Sequence, residues 1–323
     1  MAASRNCPDN NLPARVGAFL AARPAAGGAM AVGLSGGCDS VVLLHVLSGL
    51  GLGERLQAIH VRHNLSANAG QWAGFCADYC RRLGVDLLLR EVHVERGSRL
   101  GLEAAARAAR YCAFAACTTD ILLLGHHADD QAETVLFNLL RGAGVAGAAA
   151  IPVERRLGRL RILRPLLDCT RREIEAYARD HRLPWVDDES NADTALSRNF
   201  LRHDVLPVLA ARFPAAGRNL AQAAGHFAEA DALLGELAAA DWQAVARDDA
   251  VPLGALRALS LARLKNLLRH RLRTLGWQVP AAARLDEFCR QLHCAGPDRH
   301  PALELREGSM RAGRGLLRWV ARG

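Results

Sequence analysis

Residues 35–40 read Ser-Gly-Gly-Cys-Asp-Ser, directly after the apolar run 29–34 and directly before the helical pattern of Val41, Val42, Leu43, Leu44, His45, Val46 and Leu47. A strand that delivers a small-residue turn onto a helix N-terminus leaves the chain few folds to choose from. Adjacent glycines let successive backbone N–H groups converge, and the first helical turn adds unpaired donors and the positive end of a dipole. Such a turn suits a phosphate group.

What the chain lacks narrows the chemistry of that phosphate. Of its 41 basic residues 40 are Arg, and Lys265 is the single lysine, so no Gly-Lys-Ser/Thr phosphate loop can exist. That excludes a Walker-type kinase or GTPase. Gly33, Gly36 and Gly37 do not have the spacing of a G-x-G-x-x-G dinucleotide turn. The remaining pattern, Ser-Gly-Gly-x-Asp-Ser with Cys38 at its variable position, resembles the PP-loop of the ATP pyrophosphatase superfamily. The resemblance implies cleavage of ATP between its α- and β-phosphates and adenylation of a substrate. A plain Gly-Ser turn between strand and helix is the structural alternative.

Three further short apolar runs, 56–61, 86–94 and 121–124, are separated by helix-length segments. The alternation predicts an α/β fold with a doubly wound parallel sheet, in which ligands gather outside the carboxyl ends of the strands. Four polar clusters fall at or near those ends. His60 and His63 stand at the exit of the second run; three apart they could ligate a metal if helical, but at a strand end they shape a nucleotide pocket or serve as satisfied structural histidines. Glu103, Arg107 and Arg110 share a face of one helix, as an intrahelical salt bridge or with Arg107 turned to an oxyanion. His126, His127, Asp129, Asp130 and Glu133 follow the fourth run; a paired acid there can hold Mg²⁺ against ATP phosphates, Asp129 can cap a helix, and Asp130 with Glu133 can hold a cationic substrate. The fourth cluster, 187–191 and then 197–202, is acidic and then Arg-rich, and its Arg198 is placed to stabilise a departing pyrophosphate.

The 323 residues carry a formal net charge of +8 with a sequence pI near 9.3, which favours polyanionic partners such as nucleic acid. Apolar stretches are too short and too interrupted by Arg to span a bilayer, and 1–28 lacks the continuous apolar core of a secretory signal. Nine scattered cysteines with no Cys-x-x-Cys read as free thiols in a cytoplasmic protein. Beyond the clusters, 219–245 reads as a long Ala-rich helix linking two domains. The segment 257–273, with Arg263, Lys265, Arg269, Arg271 and Arg273, reads as a phosphate-contacting face or a solvated amphipathic helix. Runs 303–306 and 316–320 read as a closing hairpin.

Taken in order, residues 35–40, 60–65, 103–111, 127–134, Leu140-Arg141-Gly142 with Gly144 and Gly147, 164–167, 188–191 and 198–202 are similar to the tRNA(Ile)-lysidine synthetases, with Asn64 and Ser66 as local departures. The resemblance implies the PP-loop, adenine nucleotide alpha hydrolase-like sheet over 1–216, and a second, smaller, mainly helical tRNA-binding domain over 217–323. It implies ATP on Ser35, Gly36, Gly37, Cys38, Asp39, Ser40, Arg107 and His127, with Mg²⁺ on Asp39 and Asp130. Lysine binding is carried over to Asp130 and Glu133, and catalysis to Asp39, Asp130 and Arg198. The implied partners are tRNA(Ile) with a CAU anticodon and free L-lysine, with no membrane and with a homodimer as one assembly state. Longer relatives carry a further C-terminal domain for which no counterpart is read here. Two rivals are a tRNA-thiolating PP-loop enzyme, a class that generally needs a cysteine pair, and a non-catalytic RNA-binding protein, against which the charges of Asp39, Asp130 and Arg198 argue.

Overall fold

The computed structural model describes residues 11–24, 28–63, 66, 68–94, 102–187, 197–294, 296 and 299–322. Asn64, Leu65, Asp188, Glu189, Ser190, Asn191 and the side chain of Glu103 lie outside the described residues. The chain divides into two compact units, Met1–Ala228 and Glu229–Gly323.

The first unit is built on strands β1 (Met30–Gly33), β2 (Leu56–His63), β3 (Asp86–Val92), β4 (Ile121–Leu123), β5 (Glu154–Leu157) and β6 (Leu160–Leu163), in the order β3-β2-β1-β4-β6-β5. Every pairing is parallel except the β5–β6 hairpin at one edge. From β1 the chain winds outward through β2 and β3 and then crosses to β4 on the other side, so the winding reverses between β1 and β4. In open α/β sheets that is where ligands bind.

Helices α1 (Leu12–Ala21), α2 (Cys38–Ser48), α3 (Ala69–Leu83) and α7 (Arg171–Asp180) share one core with Met30, Val32, Ile121 and Leu123. On the opposite face Ala31, Ile59, Leu122 and Ile162 pack with Phe114 of α4 (Leu102–Ala115). Alternate strand residues thus serve opposite cores, which is why the central strands read as unbroken apolar runs. Eight of the eleven residues of α2 are buried, which accounts for the uninterrupted apolar stretch after the loop. Helices α5 (Ala128–Leu140), α6 (Val145–Ala148), α8 (Ser197–Phe200), a π-helical turn Leu201–Val205 and α9 (Leu206–Arg212) complete this unit up to α10 (Ala216–Val245), within which the unit boundary falls.

The second unit has its own antiparallel sheet. Its order is β7 (Ala250–Pro252), β10 (Leu316–Ala321), β9 (Gly308–Gly313), β8 (Ala302–Glu304). Helices α11 (Leu253–Ala258), α12 (Leu261–Thr274) and α13 (Ala282–Cys294) pack Leu264, Leu267, Leu268, Phe288 and Leu292 into a core with Met310 and Leu317. The expected hairpin of 303–306 with 316–320 is replaced by pairing through β9, which stands between the two runs and pairs with both. The sequence hid β9 because glycines bracket it. The basic face expected along 257–273 is largely engaged within the unit. Arg263 pairs with the buried Asp241, Lys265 with Asp286 at 3.1 Å, Arg273 with Asp231 at 3.3 Å, and Arg271 with Asp249 at 2.7 Å while lying 4.3 Å over the Trp242 ring.

Candidate active site

The 35–40 loop leaves β1 and is braced by its own serines. Ser35 donates its amide to Ser40 Oγ at 3.2 Å, the two hydroxyls lie 3.1 Å apart, and Ser40 Oγ donates to the Gly37 carbonyl at 2.9 Å. Gly36 has φ +94°, and a Cβ there would stand 2.7 Å from Val186 Cγ2, so only glycine fits. Gly37 has no side chain to cap α2, which leaves the first-turn N–H groups open to an anion. The Cys38 thiol is buried and pushed up to about 12 by that burial and by Asp39, so it stays protonated.

The exit of β4 lies against this turn. A Cβ on Gly125 would stand 3.0 Å from the backbone carbonyl of Asp39. His127 is the N-cap of α5: its Nδ1 accepts from the Asp130 amide at 3.4 Å, and Asp130 Oδ2 accepts from the His127 amide at 3.0 Å. That leaves Nε2–H facing Asp39 Oδ2 at 3.6 Å and Asp130 Oδ2 at 3.7 Å. Burial opposes a charge on His127, but Asp39, Asp130 and Asp129 outweigh it and raise the imidazole above its ordinary value. For Asp39 burial works upward, yet His127, Arg171 and Arg202 hold the carboxyl below the usual range.

Asp129 faces elsewhere. Its Oδ2 accepts the Arg171 amide at 2.8 Å and so satisfies an open donor at the start of α7, rather than capping its own helix. Glu133, one turn beyond Asp130, is 4% exposed and held in a fork by Arg202, with Nε at 2.5 Å and Nη2 at 2.9 Å. Burial raises the Glu133 carboxyl above its usual range, and Arg202 offsets only part of that rise. Arg202 belongs to the 198–202 motif, but nothing in the local sequence pattern assigns it a partner. Arg198 instead lies 5.9 Å over the Phe137 ring, one turn past Glu133 on α5.

Two cavities flank this row. The first, about 250 Å³, is lined by Ser35, Asp39, His60, Trp72, Arg110 and His126 among others. His60 donates Nδ1–H to the Leu34 carbonyl at 2.8 Å and is pushed down by burial, which makes it a structural wall residue. Burial with Arg164 and Arg107 pushes His126 down to about 3, and its Nδ1 is buried without a hydrogen-bond partner. Arg107 lies 5.2 Å over the Tyr111 ring; it and the buried Arg164 both donate to the Tyr111 hydroxyl at 3.4 Å. The second cavity is a cleft of about 1,680 Å³ whose walls include Asp129, Glu133, Arg171 and Arg202. Asp39 therefore faces one space and Glu133 the other, with His127 and Asp130 in the row between them.

The donor set suits Mg²⁺, which takes one or two carboxylates together with phosphate and water oxygens. Asp39 Oδ1 is buried without a hydrogen-bond partner and is available as a hard ligand. Asp130, the other carboxylate expected to hold the metal, has Oδ2 on the His127 amide and Oδ1 3.4 Å from Arg202.

The fold, the loop and the acid row define an ATP-using PP-loop protein, and the PP-loop domain family matches residues 9–209. The TilS substrate binding domain matches 252–318. Two curated relatives, both named tRNA(Ile)-lysidine synthase, come from Alkalilimnicola ehrlichii, 47% identical over 87% of this chain and 64% of that one, and Nitrosomonas europaea, 42% identical over 98% and 68%. The chain belongs to the tRNA(Ile)-lysidine synthase family. It spans about two-thirds of the length of these relatives. A solved structure, the U34-tRNA thiolase NcsA from Methanococcus maripaludis with its [4Fe-4S] cluster, is similar in fold at TM-score 0.52 and 18% identity, covering 69% of this chain and 79% of that one.

Proposed function

We propose that the protein is a cytoplasmic ligase that joins free L-lysine to the 2-carbon of the wobble cytidine of tRNA(Ile) with a CAU anticodon, using ATP. In the first step the cytidine 2-oxygen bonds to the α-phosphorus of ATP, the α–β anhydride breaks, and pyrophosphate leaves. In the second the lysine Nε, deprotonated for attack, bonds to C2; the C2–O bond breaks and AMP leaves. The residue row between two cavities supports this reading most directly: a nucleotide over the loop on the Asp39 side, and the amine on the Glu133 side.

The open N–H groups of α2 and the loop bind phosphate, with Arg107 adding positive charge and the Nε2–H of His127 holding Asp39 in place beside them. Asp39 would hold Mg²⁺, which supplies neutralisation of the phosphate charge when bound; Asp130 is the second carboxylate of that expectation. Glu133 with Asp130 orients the lysine ammonium, and Arg198 offers its guanidinium to the departing pyrophosphate. The relatives' names weigh against thiolation.

The test is pyrophosphate release with ATP, Mg²⁺ and total tRNA, with and without lysine, followed by mass analysis of the nucleosides. Lysine found in cytidine is the expected result, and release that is indifferent to tRNA would refute it. Light scattering decides between a monomer and a homodimer.

A further inference from the structure

Glu133 is nearly closed off from solvent, and its carboxylate is already filled. The Arg202 fork takes both oxygens, and its Nη2 also lies 3.4 Å from Asp130 Oδ1. Asp129, on the same cleft, has its Oδ2 turned to the Arg171 amide and away from Arg202. A compact ammonium and a guanidinium seek the same oxygens, so a substrate amine and Arg202 cannot both hold Glu133 in full. Arg202 comes from the π-helical turn Leu201–Val205, a backbone irregularity concentrated at functional sites. Both Arg202 and Glu133 line the large cleft, the route by which a cation would arrive.

We propose that Arg202 is a placeholder for the substrate ammonium: it occupies Glu133 and Asp130 in the free enzyme, and lysine binds by displacing it. This rests on the reading of Glu133 as part of the lysine site. The exchange is physically economical. A buried carboxylate left without a cation is strongly unfavourable, whereas swapping one cation for another keeps the row neutralised through the binding step. An amino acid of lysine's shape but without its charge cannot make the swap, so Arg202 acts as a positioning residue that also selects for charge. Once the lysine nitrogen is covalently attached to cytidine, the guanidinium returns to the carboxylates and assists release.

The experiment is calorimetric titration of lysine at pH 8 into wild type, Arg202→Gln, Glu133→Gln and the double variant, with the KM for ATP and for lysine measured on each. Arg202→Gln is expected to bind lysine about tenfold more tightly, since removing one charge-assisted competitor is worth that order of affinity. Its lysine KM falls while its ATP KM holds. Norleucine, the neutral counterpart, gains nothing. In the Glu133→Gln background the gain disappears, which assigns it to this pair. If Arg202→Gln does not fold, Arg202→Lys decides the matter, because a single ammonium lacks the fork and yields more readily to substrate; it too must bind lysine more tightly than wild type. Equal or weaker lysine binding in the folded Arg202 variant, or a gain that survives Glu133→Gln, overturns the proposal. Failure of the ligase reading is seen separately, as wild-type tRNA that carries no lysine.

Discussion

At the scale of single residues, the site turns on which oxygen atoms are left open. Asp39 presents one buried carboxylate oxygen without a hydrogen-bond partner beside the phosphate loop, so Asp39→Asn removes the charge while keeping the shape. Adenylation should fall on the order of a hundredfold or more, as when preorganised charge is lost at a reacting phosphate, with tRNA affinity retained. Pyrophosphate release and a filter-binding titration measure the two separately, and a fully active variant would remove Asp39 from the mechanism. Asp39, His127, Asp130 and Glu133 were legible as candidates because a short motif and helical spacing mark them in the sequence itself. Arg202 was not, because no local pattern reveals that it reaches across 69 residues of sequence to Glu133. Arg198 looked equally suitable in sequence, and its place over Phe137 is a tertiary fact.

At the scale of elements, the first turns of α2 and α5 work as a pair because β1 and β4 are neighbours in the sheet. Gly125 sets their spacing. In Gly125→Ala the new methyl meets the Asp39 backbone at 3.0 Å, and such overpacking costs about 1–3 kcal/mol. The KM for ATP should rise more than the KM for lysine, because α2 carries the loop; an unchanged ATP KM would show that the turn relaxes freely. In the second unit, Arg263→Ala leaves the buried Asp241 without its partner on α12, so the melting temperature should fall while RNA affinity changes little. Calorimetry and gel shift would show the reverse if Arg263 contacts phosphate instead. The first four strands, β1 to β4, were legible from their apolar runs. The β5–β6 hairpin was not, since Glu154, Arg155 and Arg156 carry no apolar alternation, and β9 was concealed by its bracketing glycines.

At the scale of the whole molecule, His45, His60 and His126 are all held neutral by burial, each below the ordinary value of 6.5. Below about pH 6.5 the unfolded chain takes up protons that these folded histidines refuse, so their contribution is full above that pH and is lost as pH falls beneath it. His127 has the opposite sign, since its folded value is raised and its contribution is lost as pH rises through that value. His126, pushed down to about 3, has the large shift among these, so the melting temperature should drop between pH 7.5 and 5.5, and His126→Leu should flatten that drop. A pH-independent melting temperature across this range would contradict the neutral burial. The two ends of the large sheet bear on a different hazard. On β5 the outer residues Glu154, Arg155 and Arg156 are exposed, and on β3 Asp86, Arg90 and Glu91 are exposed as well. An unpaired strand edge invites a second chain to add to it, and charge along that edge makes the addition unfavourable. The same charges that erased β5 from the sequence pattern thus discourage neighbouring copies from joining edge to edge into fibres.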